Sequence, residues 1–165
     1  MKFYRRDAPP SVPRTELRVV QVTGEAAETW AAPAVTACFV PRPLLLWMHL
    51  LVGRPGRRHY VAYEAGQATA CGMLYVQDGV GWLGLGGTLR GCRGRGAQSA
   101  LIARRLADAL ELGCKLLTVE ILEDLPEHSN PSYRNMLRAG FEVAYVCPNY
   151  RLDWRAAREQ ADALD

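Results

Sequence analysis

The sequence predicts a mixed α/β (α+β) fold: a mostly antiparallel central sheet of about seven strands with helices on both faces. Three observations predict it. Short β-rich runs separated by turn signals fill residues 59–89. A helical apolar pattern spans residues 97–112, and a buried-type strand, residues 114–122, follows directly after a glycine. Single helices alternating with strands fit a sheet covered on both sides, with a right-handed crossover around the main helix.

The elements follow in order. Residues 1–15 carry Pro9, Pro10 and Pro13 without apolar periodicity and read as an arm or linker. Leu17–Val22 is the expected first strand. Gly24 opens a helical pattern through Ala27, Trp30, Ala31 and Val35, and Pro41 and Pro43 restart a short helix over Leu44–Val52. His59–Glu64, Gln67–Gln77 and Val80–Leu89 form a meander, turning at Ala65-Gly66 and at the hairpin signal Asp78-Gly79. In the main helix Ile102, Leu106, Ala109 and Leu110 make the buried stripe, with Arg104, Arg105, Asp108 and Glu111 pointing elsewhere. Gly113 is placed to end it in a left-handed cap. Pro131 suits the first turn of a helix that stops at Gly140. Phe141–Val146 and Tyr150–Trp154 are the last two expected strands. The domain is read as 16–155, and 156–165 as a charged tail.

Composition narrows the function class. The chain has 165 residues, 49% of them apolar and 22% charged, as in an average single domain. A net charge of +3 is too small to argue for nucleic acid. The run Leu44–Val52 is too short to span a bilayer, so no membrane role is expected. Five cysteines without a Cys-x-x-Cys pair, and three histidines (His49, His59, His128) that do not cluster with them, predict free thiols, a cytoplasmic setting and no metal.

The chemistry concentrates in the loop after residue 89. A strand ends, Gly91, Gly94 and Gly96 remove side-chain bulk, and a helix begins. The first turn of a helix has N–H groups without partners and carries the positive end of its dipole. Arg93 and Arg95 add full charges, with Arg90, Arg104 and Arg105 nearby in sequence. The expected result is a cradle for a diphosphate. A dinucleotide fingerprint fails because residue 99 is Ser, and a Walker loop fails for want of Gly-Lys-Ser/Thr. Cys92, beside Arg93, is the thiol expected to react fastest.

Arg93-Gly94-Arg95-Gly96-Ala97-Gln98 resembles the Gln/Arg-x-x-Gly-x-Gly/Ala cofactor motif of the GNAT superfamily of acyl-CoA N-acyltransferases. Asn130-Pro131-Ser132-Tyr133-Arg134-Asn135 and Arg138-Ala139-Gly140-Phe141 resemble the same family, and the likeness covers Leu17–Trp154. The resemblance implies acetyl-CoA as co-substrate, its pyrophosphate on the N–H groups of Gly94, Arg95, Gly96, Ala97, Gln98 and Ser99. The pantetheine would lie along Gly86, Gly87 and Thr88, with Asn130 in the same cofactor set. Glycines at 84, 86 and 87 are costly in a central strand unless something approaches its backbone closely, which agrees with that expectation. Gln98 departs from the motif's sixth position and is expected to lie along the side of the helix.

The implied activity is transfer of an acetyl or longer acyl group to a primary amine of a small molecule or protein. The alternative is a non-catalytic acyl-CoA-binding or regulatory module. The family's usual tyrosine acid falls at Met136 here, which favours the alternative. Tyr133, one helical turn earlier, is the substitute acid or else a packing tyrosine. Glu120, in an otherwise apolar strand, is the candidate base or else a carboxylate paired with a basic residue; Glu123, Asp124 and His128 are weaker alternatives. Phe39, Trp47 and Trp82 are the candidate acceptor contacts, an aromatic set that suggests an apolar acceptor. A homodimer, and a match to one half of a longer two-domain relative, are left open.

Overall fold

The computed structural model describes residues 1–6, 17–38 and 40–150. Seven strands form one sheet in the order β2-β3-β4-β5-β6-β1-β7. They are β1 (Lys2–Arg6), β2 (Arg18–Val22), β3 (Arg57–Glu64), β4 (Gln67–Gln77), β5 (Val80–Thr88), β6 (Leu116–Glu120) and β7 (Glu142–Tyr145). The helices are α1 (Ala27–Ala37), α2 (Leu45–Leu51), α3 (Ala97–Glu111) and α4 (Pro131–Arg138). Every strand pairing is antiparallel except β5 with β6.

The sheet separates two cores by the period-two alternation of its strands. Tyr60, Ala62, Ala70, Leu74, Leu83, Leu117 and Val119 face α3 and α4, joining Leu101, Leu106 and Met136. Val22, Val61, Cys71 and Met73 face α1 and α2, joining Trp30, Ala34 and Met48. The hairpin signals act as read: Asp78 and Gly79 both have positive φ (50° and 75°), as do Ala65 and Gly66 (48° and 81°). Gly113, at φ 77°, turns the chain out of α3.

Three expectations need correction. The segment read as an arm contains β1, which lies between β6 and β7. Its alternation carries the reason. Phe3 enters the core against α3 and α4, and Arg5 donates through Nη1 to the carbonyl of Ala139 at the end of α4. On the opposite face Lys2 meets Glu120, and Tyr4 Oη donates to Glu142 at 2.8 Å. The prolines dominated the sequence pattern and hid this short strand.

The second correction is Arg105 and Asp108, both buried where the helical pattern put them outside. Asp108 accepts from Tyr60 Oη at 2.7 Å and pairs with Arg104 at 2.8 Å and Arg58 at 3.4 Å. Burial, then the hydrogen bond to Asp108, raises the Tyr60 pKa. The third correction concerns the expected strand Tyr150–Trp154: Tyr150 is not in a strand, and its remaining residues, like the tail 156–165, lie outside the described residues.

Candidate active site

Strands β5 and β6 separate along their length. Their parallel register joins Val80–Trp82 to Leu116–Thr118 and stops, although β5 runs on to Thr88 and β6 to Glu120. A bulge in β5 accompanies the opening. Between the pairs Cys71–Gly87 and Met73–Gly84, β5 carries one more residue than β4, and Leu85 takes a positive φ of 47°. Bulges bend the strand that holds the extra residue, which turns β5 away from β6.

Arg105 holds that bulge from the α3 side. It is 1% exposed; Nε donates to Leu101 O at 3.0 Å, and Nη1 donates to Met73 O and Gly84 O, both at 3.3 Å. Burial lowers its pKa to about 10, which leaves the guanidinium charged at neutral pH. A Cβ on Gly72 would stand 3.0 Å from Arg105 Cζ, and one on Gly86 3.4 Å from Nη2. A Cβ on Gly84 would meet Trp82 Cη2 at 2.3 Å, and one on Gly87 would meet Ala37 Cβ at 2.7 Å. Gly72, Gly84 and Gly87 are therefore accounted for by the protein's own side chains, whereas a Cβ on Gly86 would make only ordinary contact. Their presence does not by itself call for a ligand along the backbone.

The loop before α3 leads into an uncapped helix start. Gly94 and Gly96 both adopt left-handed φ, 79° and 86°, and Gly96 is the N-cap of α3. No side chain caps this end and no acidic residue occupies its first turn. Successive N–H groups in such a turn form a concave anion nest, reinforced by the helix dipole. Arg93 is exposed beside it, its Nε donating to Thr88 O at 3.4 Å. Arg95 instead pairs with Glu64 at 2.8 Å, and Arg104 and Arg105 belong to the interior networks above, so the basic cluster is smaller than the sequence suggests. Gln98 lies along the side of the helix: Nε2 donates to Ser132 Oγ at 2.6 Å, and Oε1 accepts from Asn135 Nδ2 at 2.7 Å. It ties α3 to α4 and stays clear of the nest.

The other singled-out residues are dispersed. Glu120, at the end of β6 where the strands diverge, is ion-paired with Lys2; its side chain is 54% exposed. Trp82 and Thr118 are register partners on the same face of the sheet as Glu120. Tyr133 lies on the opposite face, its ring set edge-on to Phe3 at 5.1 Å. Met136 is buried among the core residues of that face. Asn130 caps α4, accepting from Ser132 N at 3.1 Å while Nδ2 donates to Leu122 O at 2.7 Å. Asp124 is taken up by Arg134 at 2.9 Å. Trp47 is 53% exposed on α2 beside exposed Leu46 and Leu50, and Phe39 lies outside the described residues. Among the described residues no group of three or more His, Cys, Asp or Glu could hold a metal ion, and no helix is long and apolar enough to cross a membrane.

Sequence reasoning missed the roles of Arg105 and Lys2. Gly72, which makes room for a guanidinium, was the available signal for Arg105.

The sheet thus opens between two parallel neighbours, with an uncapped, glycine-lined helix start following the longer one. The family model described as "Acetyltransferase (GNAT) family" matches residues 24–141, and the chain belongs to that family. No curated protein matches it in sequence. Solved structures match in fold. A GCN5-related N-acetyltransferase from Sphaerobacter thermophilus is 21% identical at TM-score 0.68, covering 86% of this chain and 47% of its own. Aminoglycoside N-acetyltransferase AAC(6')-Iy in complex with CoA is 20% identical at TM-score 0.66, covering 87% and 99%. A ribosomal-protein-alanine N-acetyltransferase from Brucella melitensis biovar Abortus 2308 is 15% identical at TM-score 0.63, covering 82% and 99%. The chain spans about half the length of the first of these.

Proposed function

We propose that the chain transfers an acetyl group from acetyl-CoA directly to a primary amine of a small molecule or protein. The observation that carries this reading is the uncapped, doubly left-handed start of α3 beside the unpaired length of β5. Family membership and the CoA-bound relative support it.

In this reading the N–H groups of residues 94–99 hold the diphosphate, with Arg93 as an added charge. The backbone of Gly86, Gly87 and Thr88 borders the pantetheine arm. Asn130 keeps the end of β6 against α4. Glu120 takes the proton of the acceptor ammonium, directly or through water, because a protonated amine has no lone pair to attack with. That role requires Lys2 to give way to the acceptor. Tyr133 is assigned to packing, since its ring is set on Phe3 across the sheet from Glu120. Trp82 borders the acceptor on the face it shares with Glu120, with Trp47 as an outer contact. We place the reaction in the cytoplasm and assign no metal to it.

The test is release of free CoA thiol from acetyl-CoA with a panel of small amines and basic peptides. Release that depends on an added amine supports the reading. Calorimetric CoA binding with no release for any amine would assign a non-catalytic module instead.

A further inference from the structure

Two cysteines outside the phosphate loop stand together beside the bulge of β5. Cys71 on β4 is the direct register partner of Gly87, and Cys38 closes the C-terminal end of α1. A Cβ on Gly87 would stand 2.9 Å from Cys38 Sγ, so this thiol packs on the backbone that faces Cys71. Cys71 Sγ lies 3.6 Å from Leu85 O, and Cys38 packs against the same buried cluster that holds Cys71.

The pair is asymmetric. Cys38 is partly exposed and Cys71 is buried. The hydrogen bond from Cys71 lowers the Cys38 pKa against the opposing effect of burial, with help from the Arg105 guanidinium. The same hydrogen bond, with burial, raises that of Cys71. One sulfur is thus the more accessible and the more readily ionised and the other is sheltered, the division of labour an attacking and a resolving cysteine need.

We propose that Cys38 and Cys71 are a hydroperoxide-oxidised thiol pair that closes to an intramolecular disulfide. The Cys38 thiolate attacks a peroxide oxygen. The S–O bond forms, the O–O bond breaks, and the leaving hydroxide takes a proton to become water. The Cys71 sulfur then attacks Cys38 sulfur. The S–S bond forms, the S–O bond breaks, and the hydroxyl leaves as water with the Cys71 proton. The two thiols lose two electrons in total, and hydrogen peroxide is reduced to two waters. The cross-link staples the end of α1 to β4 at the level of Gly87, beside the stretch of β5 that has no β6 partner.

The experiment is treatment of the full chain with equimolar hydrogen peroxide, alkylation of remaining thiols and peptide mass mapping. The expected result is a single disulfide joining 38 to 71, with the other three of the five cysteines alkylated. In Cys71→Ser, dimedone should trap a sulfenic acid on Cys38. In Cys38→Ala, a change at a partly exposed position that tests the pair if Cys71→Ser does not fold, Cys71 should stay reduced. Oxidation that falls first on Cys92 or Cys147 while 38 and 71 are alkylated overturns the proposal. So does Cys71 oxidised normally in Cys38→Ala.

Discussion

Lys2 of the N-terminal strand is ion-paired with Glu120, its direct cross-strand neighbour at the end of β6. The strand that a proline-rich start conceals thus holds an amine against the carboxylate proposed as base. Glu120→Gln is expected to lower turnover by about 10²–10⁴, the usual worth of a general base, with acetyl-CoA affinity unchanged. Lys2→Met should leave the melting temperature within about 2 °C, because exposed pairs contribute little. Steady-state kinetics with calorimetry on both variants checks this. Full activity in Glu120→Gln would move the base elsewhere.

The phosphate loop makes a graded prediction. Gly96→Glu should abolish CoA binding, since a carboxylate would enter the anion nest at a left-handed position an L side chain resists. Arg93→Ala should weaken binding by about 1–3 kcal/mol, the range for a charge-assisted hydrogen bond. Arg95→Ala should weaken it less, because Arg95 is already paired with Glu64. Titration calorimetry with CoA orders the three.

The glycines of β5 differ in what surrounds them. A Cβ at residue 86 would meet Arg105 at 3.4 Å or more, ordinary contact, whereas one at residue 87 would press on Ala37 and Cys38 at 2.7–2.9 Å. Gly86→Ala should therefore fold close to wild type. Gly87→Ala should lose roughly 1–3 kcal/mol, the usual cost of overpacking. Urea unfolding of the two variants separates them; equal losses would mean that backbone freedom matters more than space.

His59 predicts a pH dependence of stability. It is 1% exposed against Trp30, ring centroids 4.4 Å apart, and neither ring nitrogen has a hydrogen-bond partner among the described residues. Burial, aided by the Arg57 charge, lowers its pKa from 6.5 to about 4. Between those values the unfolded chain binds a proton that the folded one does not. The contribution is fully present above pH 6.5 and declines as pH falls towards 4, by up to ~3 kcal/mol. Denaturant titrations at pH 7 and pH 5 should show the loss, and His59→Phe should reduce it.

Much of the fold was legible because it depends on local rules. The hairpin at Asp78-Gly79 and the cap at Gly113 follow from the few residues that tolerate positive φ. The glycine turn into α3 was legible for the same reason: Gly94 and Gly96 announce a backbone conformation, and a helix start carries its N–H groups whatever the rest of the chain does.

The sequence by itself thus determined the order of sheet and helix elements from β2 to β7 and the glycine turn into α3, since both are set within a few neighbouring residues. Only the tertiary structure decided the rest. The slot between β6 and β7 admits Lys2–Arg6 because sheet pairing at that distance along the chain depends on which edges are vacant, not on local propensity. Arg105 sits inside because a bulge in β5 leaves the carbonyls of Met73 and Gly84 pointing at one helix position, and a charge is tolerated in a core only where such acceptors converge. Glu120 and Tyr133, read as candidate base and substitute acid, fall on opposite faces because a strand's period of two and a helix's docking side are settled by packing.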